Sequence, residues 1–404
     1  MSEFVKKTSF FGGLTALIVV VFVSGMYLGY ENRPEAEKVL ALLNKDDASV
    51  ASDKTVDFSP FWKVWNTIEN QYAAKGSIDR QKMVWGATQG LVASLGDPYS
   101  VFFPPQEAEI FESSVRGDFE GVGMEIGIKK GVLVVVAPIK GSPAEKAGIK
   151  TGDQILKIDE TTTSDLAVDE AVKLIRGPKG TKVALTIFRE NEEESRVLEI
   201  ERDVIQIPPL ETEKKDGGIF VIKLYSFSAY SESSFKQALR EMVDSGSSKL
   251  IIDLRGNAGG YLESSVDIAS WFLPLGKEVV IEEFGTGERN SYSSKGYDIF
   301  KNLPLVILVN EGTASASEIL AGALQEYGIA KLVGEKTYGK GSVQQAIDIA
   351  DGSSLKLTIA NWLTPNGRSI SKDGLEPDVK VELGEADKGD KQMEKAVEIV
   401  NNWE

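Results

Sequence analysis

LPLVILV at 303–309 runs into EGTASASEILAGALQEYG at 311–328: an apolar run, a junction of small residues, then a helical pattern. A strand that is apolar at every position is buried on both faces, the habit of parallel strands covered by helices. The same order recurs upstream, where LIIDL (250–254) leads through a glycine-rich loop into YLESSVDIASWFL. Downstream, KLVGE (331–335) precedes a hairpin whose turn is Asp351-Gly352. From about residue 204 to 386 the chain therefore reads as a largely parallel α/β core. A closing segment, 387–404, carries the amphipathic helix DKQMEKAVEIVN.

Outward from that core the pattern changes. Residues 113–203 hold short β-rich runs (VLVVVAPI, DQILKIDE, KVALTIFRE) around one helical segment at 167–176, which predicts a small separate β-rich domain. Residues 57–112 are helical in spacing, with Phe61, Trp62, Trp65 and Ile68 on one stripe, and Gly96-Asp97-Pro98 breaks the run. Residues 31–56 read as a polar linker with a short apolar cluster suited to self-association. Residues 8–30 carry no charge and follow Lys6 and Lys7. At about 1.5 Å per residue, a helix of that length crosses a hydrocarbon core, and the lysines favour a cytoplasmic N-terminus. A signal peptide cleaved after Gly25 is the rival; Met26, Tyr27 and Leu28 extend the apolar run past that point and favour an anchor. Either reading exports the rest of the chain.

A chain of 404 residues predicts two or three folded units. Its net charge of −16 argues against a nucleic-acid partner. It contains no Cys and no His. That excludes thiolate nucleophiles, disulfides and every Ser-His-Asp arrangement. A hydrolase built from this sequence uses carboxylates, an oxygen-ligated metal or an activated lysine.

Three segments carry chemistry. Ser315 lies where the 303–309 strand gives way to a helix, and unpaired N–H groups at a helix N-terminus can hold an oxyanion. Ser315 and Glu318 also complete an S-x-x-E capping box, which needs no catalysis, and spacing alone leaves both readings open. Lys340 stands between Gly339 and Gly341 in EKTYGKGSVQQ. To accept a serine proton it must be neutral, and lowering its pKa from about 10.4 to about 7.5 costs roughly 4 kcal/mol, within reach of burial. An uncharged neighbour suits such a lysine; Gln344, four residues on, projects to the same face if 342–349 is a strand. The bland alternative is a solvated lysine in a glycine loop. In DLRGNAGGYL (253–262), Gly259 or Gly260 could offer an N–H to an oxyanion, or the glycines merely turn the chain.

Taken in order, these blocks resemble the carboxyl-terminal processing proteases, also called tail-specific proteases, over residues 58 to 402. FWKVWNTIENQY and GATQGLVASLGDPYSVFF look like the family's N-terminal helical region; EGVGMEIG with GSPAEKAGIKTGDQILKID looks like its PDZ domain. DLRGNAGG, NEGTASASEILAGAL, GEKTYGKGSVQ, LTPNGRSI and GLEPDV look like its protease domain. The resemblance implies Ser315 as nucleophile, Lys340 as base, Gln344 orienting the lysine, and Ala316 with Gly259 or Gly260 as backbone oxyanion donors. Thr337 matches a hydroxyl position close to the lysine in some members, and Ala258 stands where the family usually has Pro. It also implies a ClpP/crotonase-like protease domain, a PDZ loop at Gly121, Val122, Gly123 and Met124 that binds apolar C-terminal tails by strand addition, and a PDZ domain that can gate the active site, for which Arg176 in KLIRGPKG is the candidate residue reporting PDZ position.

The expectation is an extracytoplasmic, membrane-anchored serine endopeptidase with no metal or cofactor. It takes protein substrates with apolar tails and dimerises through its terminal helices. A silent PDZ scaffold and an acyl-CoA enzyme are the rivals from other classes.

Overall fold

Leu305–Val309 lies inside a six-stranded sheet with all five side chains buried, in a computed structural model describing residues 57–403 except 130, 165, 191, 372 and 383–388. The sheet runs Leu210–Lys215, Ile219–Leu224, Lys249–Asp253, Leu305–Val309, Lys331–Gly334, Val379–Lys380. Only the first pair is antiparallel; every other neighbour is parallel. Because side chains alternate along a strand, the continuous apolar runs feed two cores at once. Leu305, Ile307 and Val309 join Leu250 and Ile252 on the face covered by Ser231–Asp244, Leu262–Ala269 and Ala316–Glu326. Val306 and Leu308 join Val221, Ile251 and Val333 beneath Met393, Ala396 and Val400 of the C-terminal helix Lys391–Asn401.

A second sheet lies against the helical face. It contains the hairpin Ser342–Asp348/Ser354–Leu363, then Glu278–Phe284 and Arg289–Ser293. Val280, Val343, Ala360 and Trp362 point into the same core as Ala316–Glu326. The hairpin turns at Asp351 and Gly352, whose φ values of 49° and 78° are the paired left-handed conformations a two-residue turn needs. The outer strand is Val101–Phe103, paired antiparallel with Ser354–Lys356. Helical spacing did not foretell this strand. A three-residue run after the Gly96 break gains its β partner from more than two hundred residues away.

Residues 118–206 leave and rejoin the core through a ribbon, Asp118–Gly121 against Asp203–Gln206. Between them lies an antiparallel sheet in the order Met124–Lys129, Val132–Pro138, Gln154–Ile158, Lys182–Phe188, Arg196–Glu201. Lys182–Phe188 buries every second residue, Val183, Leu185 and Ile187, against Leu133, Val135 and Ile155. Met124–Lys129 is an edge strand of this sheet.

The described residues up to Asp79 belong to a separate unit. Its helix Ser59–Gln71 stacks Phe61 edge-on to Trp62, ring centroids 4.9 Å apart, and buries no side chain. The expected membrane helix at 8–30 and linker at 31–56 lie outside the described residues. Among the described residues, no helix is long and apolar enough to cross a membrane.

Candidate active site

Asn310–Ala314 links the central strand to its helix and is held by the glycine loop beside it. Thr313 Oγ1 donates to Leu254 O (2.9 Å), while Ala314 N and Ser317 Oγ both donate to Asn257 O (3.0 Å each). These bonds deliver Ser315 to the N-cap of Ala316–Glu326 at φ 57°, ψ −119°. A positive φ costs a non-glycine residue of order 1–3 kcal/mol and is kept only where the surroundings impose it. Half of the predicted capping box forms: Glu318 accepts from Ser315 N–H at 2.9 Å, while the Ser315 hydroxyl makes no cap hydrogen bond. The hydroxyl is thus left for other work.

Gly259 packs directly on this turn. A Cβ placed there would meet Ser315 Cβ and Ala314 O at 2.8 Å, so no larger residue fits. Its own N–H donates to Asn257 Oδ1 (2.9 Å). Among the described residues no acceptor takes the N–H of Gly260 or of Ala316, the other two donors expected from sequence.

Lys340 reaches the site from the loop after Lys331–Gly334. Its backbone N–H donates to Glu318 Oε2 (3.0 Å), and its Nζ lies 5.4 Å from the centre of the Tyr99 ring. Burial holds its pKa below the ordinary lysine range, the positive charge of Lys356 adds to that, and the Glu318 carboxylate acts the other way. Among the described residues no hydrogen bond joins Lys340 Nζ to Ser315 or to Gln344. The expected strand forms as Ser342–Asp348, but Lys340 lies before it and its ladder shifts between Val343 and Gln344, so four-residue spacing does not align the two side chains. Gln344 Nε2 instead donates to Ser342 O (3.0 Å) and Ser342 Oγ (2.7 Å).

The family model for Peptidase family S41 matches residues 218–381, that for the PDZ domain residues 111–188, and that for the Activating protease CtpB N-terminal domain residues 19–106. Carboxy-terminal processing protease CtpA of Bacillus subtilis (strain 168) is 40% identical over 344 residues, covering 85% of this chain and 72% of that protein. CtpB of the same strain is 38% identical over 368 residues, covering 89% and 74%. The chain belongs to peptidase family S41. It is a serine-type carboxyl-terminal processing protease with a PDZ domain. Among solved structures, photosystem II D1 C-terminal processing protease aligns with 80% of this chain and 92% of its own at 29% identity, TM-score 0.48.

In this S41 peptidase the PDZ loop is tied down by hydrogen bonds to its carbonyls. Val122 O accepts from Ala144 N (2.8 Å); Gly123 O accepts from Ile139 N (3.0 Å) and Ser142 Oγ (2.8 Å). Gly123 sits at φ 77°, where a Cβ would fall 2.5 Å from Ser142 Cβ. Val122, expected to face a tail, is 1% exposed and belongs to the PDZ core. Met124 is half-buried, at the start of the edge strand beside helix Val168–Ile175. Arg176 ends that helix with its guanidinium 4.5 Å from the Phe119 ring centre, on the ribbon into the core.

Two residues of the S41 site escaped the sequence reading. Asn257 binds the Ala314–Ser317 turn through its carbonyl and Gly259 through its side chain, and its Nδ2 donates to Leu224 O (2.8 Å). Glu318 was visible only as the second half of a capping box.

Proposed function

We propose that Ser315 is the nucleophile and Lys340 its general base in an extracytoplasmic endopeptidase that selects protein substrates by an apolar C-terminal tail. The observation that carries this is the setting of Ser315: a left-handed turn at the head of a buried helix, its hydroxyl unused, facing a loop whose lysine is pushed towards neutrality by burial. Neutral Lys340 takes the Ser315 proton as Oγ attacks the peptide carbonyl. Ala316 N–H and Gly260 N–H, for which no acceptor is found among the described residues, hold the oxyanion; as it collapses the C–N bond breaks and the Lys340 ammonium gives its proton to the departing amine. Water, deprotonated by the neutral Lys340, then attacks the acyl ester, and the proton returns to the Ser315 hydroxyl. Gly259 joins the two oxyanion donors if its N–H leaves Asn257. The dyad closes when Lys340 turns from the Tyr99 ring towards Ser315 and Gln344 turns from Ser342 to orient it.

The substrate tail adds as a strand to the free edge of Met124–Lys129, with its carboxylate at the Gly121–Met124 loop and its last side chain against Met124. The full chain should therefore cleave an internally quenched peptide ending in Leu-Val-Val with a KM about tenfold lower than the same peptide amidated at its C-terminus. Equal KM for acid and amide would remove tail-carboxylate recognition. Residues 8–30 anchor the enzyme, and the terminal helices pair two copies. Membranes washed with alkaline carbonate should retain the full chain, and cross-linking should give a dimer. A freely soluble monomer would contradict both.

A further inference from the structure

Glu318 is 0% exposed, and its carboxylate receives four hydrogen bonds. Oε2 accepts from Ser315 N–H (2.9 Å) and Lys340 N–H (3.0 Å). Oε1 accepts from Thr337 Oγ1 (2.5 Å) and Gly339 N–H (2.8 Å). Thr337 Oγ1 in turn accepts from Leu375 N–H (2.7 Å), which aims its own proton at Glu318. A capping partner needs only the first of these bonds. The other three reach a different segment, residues 337–340, and contribute nothing to the helix. A buried carboxylate costs several kcal/mol unless its lone pairs are filled, and here donors from two segments fill them together.

We propose that Glu318 is a positioning residue that fixes the separation of Ser315 and Lys340 by binding both backbones through one carboxylate. The inference rests on the Ser315–Lys340 reading. It adds that the dyad's geometry is set from below, by a side chain that never touches substrate.

Glu318→Gln and Glu318→Asp separate charge from reach. The amide of Gln offers one oxygen and one NH2 group where four donors converge, so one pair of donors is repelled. Asp keeps the charge but is one methylene short of spanning both segments. The Glu318 charge also favours the Lys340 ammonium. Removing it should ease deprotonation, so the acid limb of the pH–rate profile moves to lower pH even as the enzyme slows.

In the full chain with the quenched Leu-Val-Val peptide, Glu318→Gln should lower kcat about 100-fold, with KM changed less than about threefold. Its acid limb should lie about half a pH unit or more below wild type. Glu318→Asp should lower kcat about tenfold with the limb unmoved. Thermal melts establish that each variant is folded at the assay temperature. Wild-type kcat in both variants would overturn the proposal, as would a slow Glu318→Gln with an unshifted limb, since a purely structural defect scales the rate at every pH. If neither variant folds, Glu318 is a requirement of the fold and the positioning role is likewise rejected. Ser315→Ala and Lys340→Met in the same assay must each fall about 10⁴-fold or more below wild type. Turnover by either within about tenfold of wild type would sink the dyad reading itself, whatever Glu318 does.

Discussion

Lys340→Met should lower kcat about 10⁴-fold while leaving KM within a few-fold of wild type. Met keeps the aliphatic stem and fills the space beside Tyr99, so the change isolates the amine. If Lys340 is the general base, its removal costs the proton transfer, and the sequence has no His to take that role over. The Glu318 carboxylate, hydrogen-bonded to the backbones of both Ser315 and Lys340, has both oxygens committed to four donors.

The pH dependence follows from the same group. Wild-type rate should rise with pH through the Lys340 pKa, because only the neutral amine accepts a proton. That limb should lie below the ordinary lysine range, since burial first and the Lys356 charge second disfavour the ammonium. Lys356 is itself half-buried, its Nζ 5.3 Å from the Phe111 ring centre and 5.7 Å from that of Phe103. Lys356→Gln should move the limb to higher pH, the reverse of Glu318→Gln. A limb fixed in place by both changes would mean that another group titrates.

Much of the core could be read before any coordinates because its signals are local. Five apolar residues in succession, a small-residue junction and a helical run need no partner to be recognised, and Leu305–Val309 followed by Ala316–Glu326 is their outcome. Asp351-Gly352 is local in the same sense. Where the reading stopped, distance intervened. Val101–Phe103 is a strand only because Ser354–Lys356 lies beside it. The spacing of Lys340 and Gln344 assumed an even ladder, and a register shift at Val343 and Gln344 breaks it. Val122 looked suited to a ligand because it is apolar beside glycines; burial in the PDZ core satisfies the same pattern. Glu318 is the sharpest instance. Its bond to Ser315 spans three residues and is written in the S-x-x-E motif, whereas its bonds to Thr337, Gly339 and Lys340 span 19, 21 and 22 residues and exist only once the sheet has formed.

The most direct test compares the full chain with its Ser315→Ala variant. Each is incubated with the peptide ending in Leu-Val-Val, products are followed by mass spectrometry, and the melting temperatures of the two proteins are compared. Losing the attacking oxygen should reduce cleavage by about 10⁶-fold, to the level of the blank. Because the Ser315 hydroxyl caps no helix N–H, the two proteins should melt at the same temperature. Undiminished cleavage by Ser315→Ala would contradict the assignment of the nucleophile. A variant that melts well below wild type and cleaves in proportion to its folded fraction would return Ser315 to the role of a helix cap.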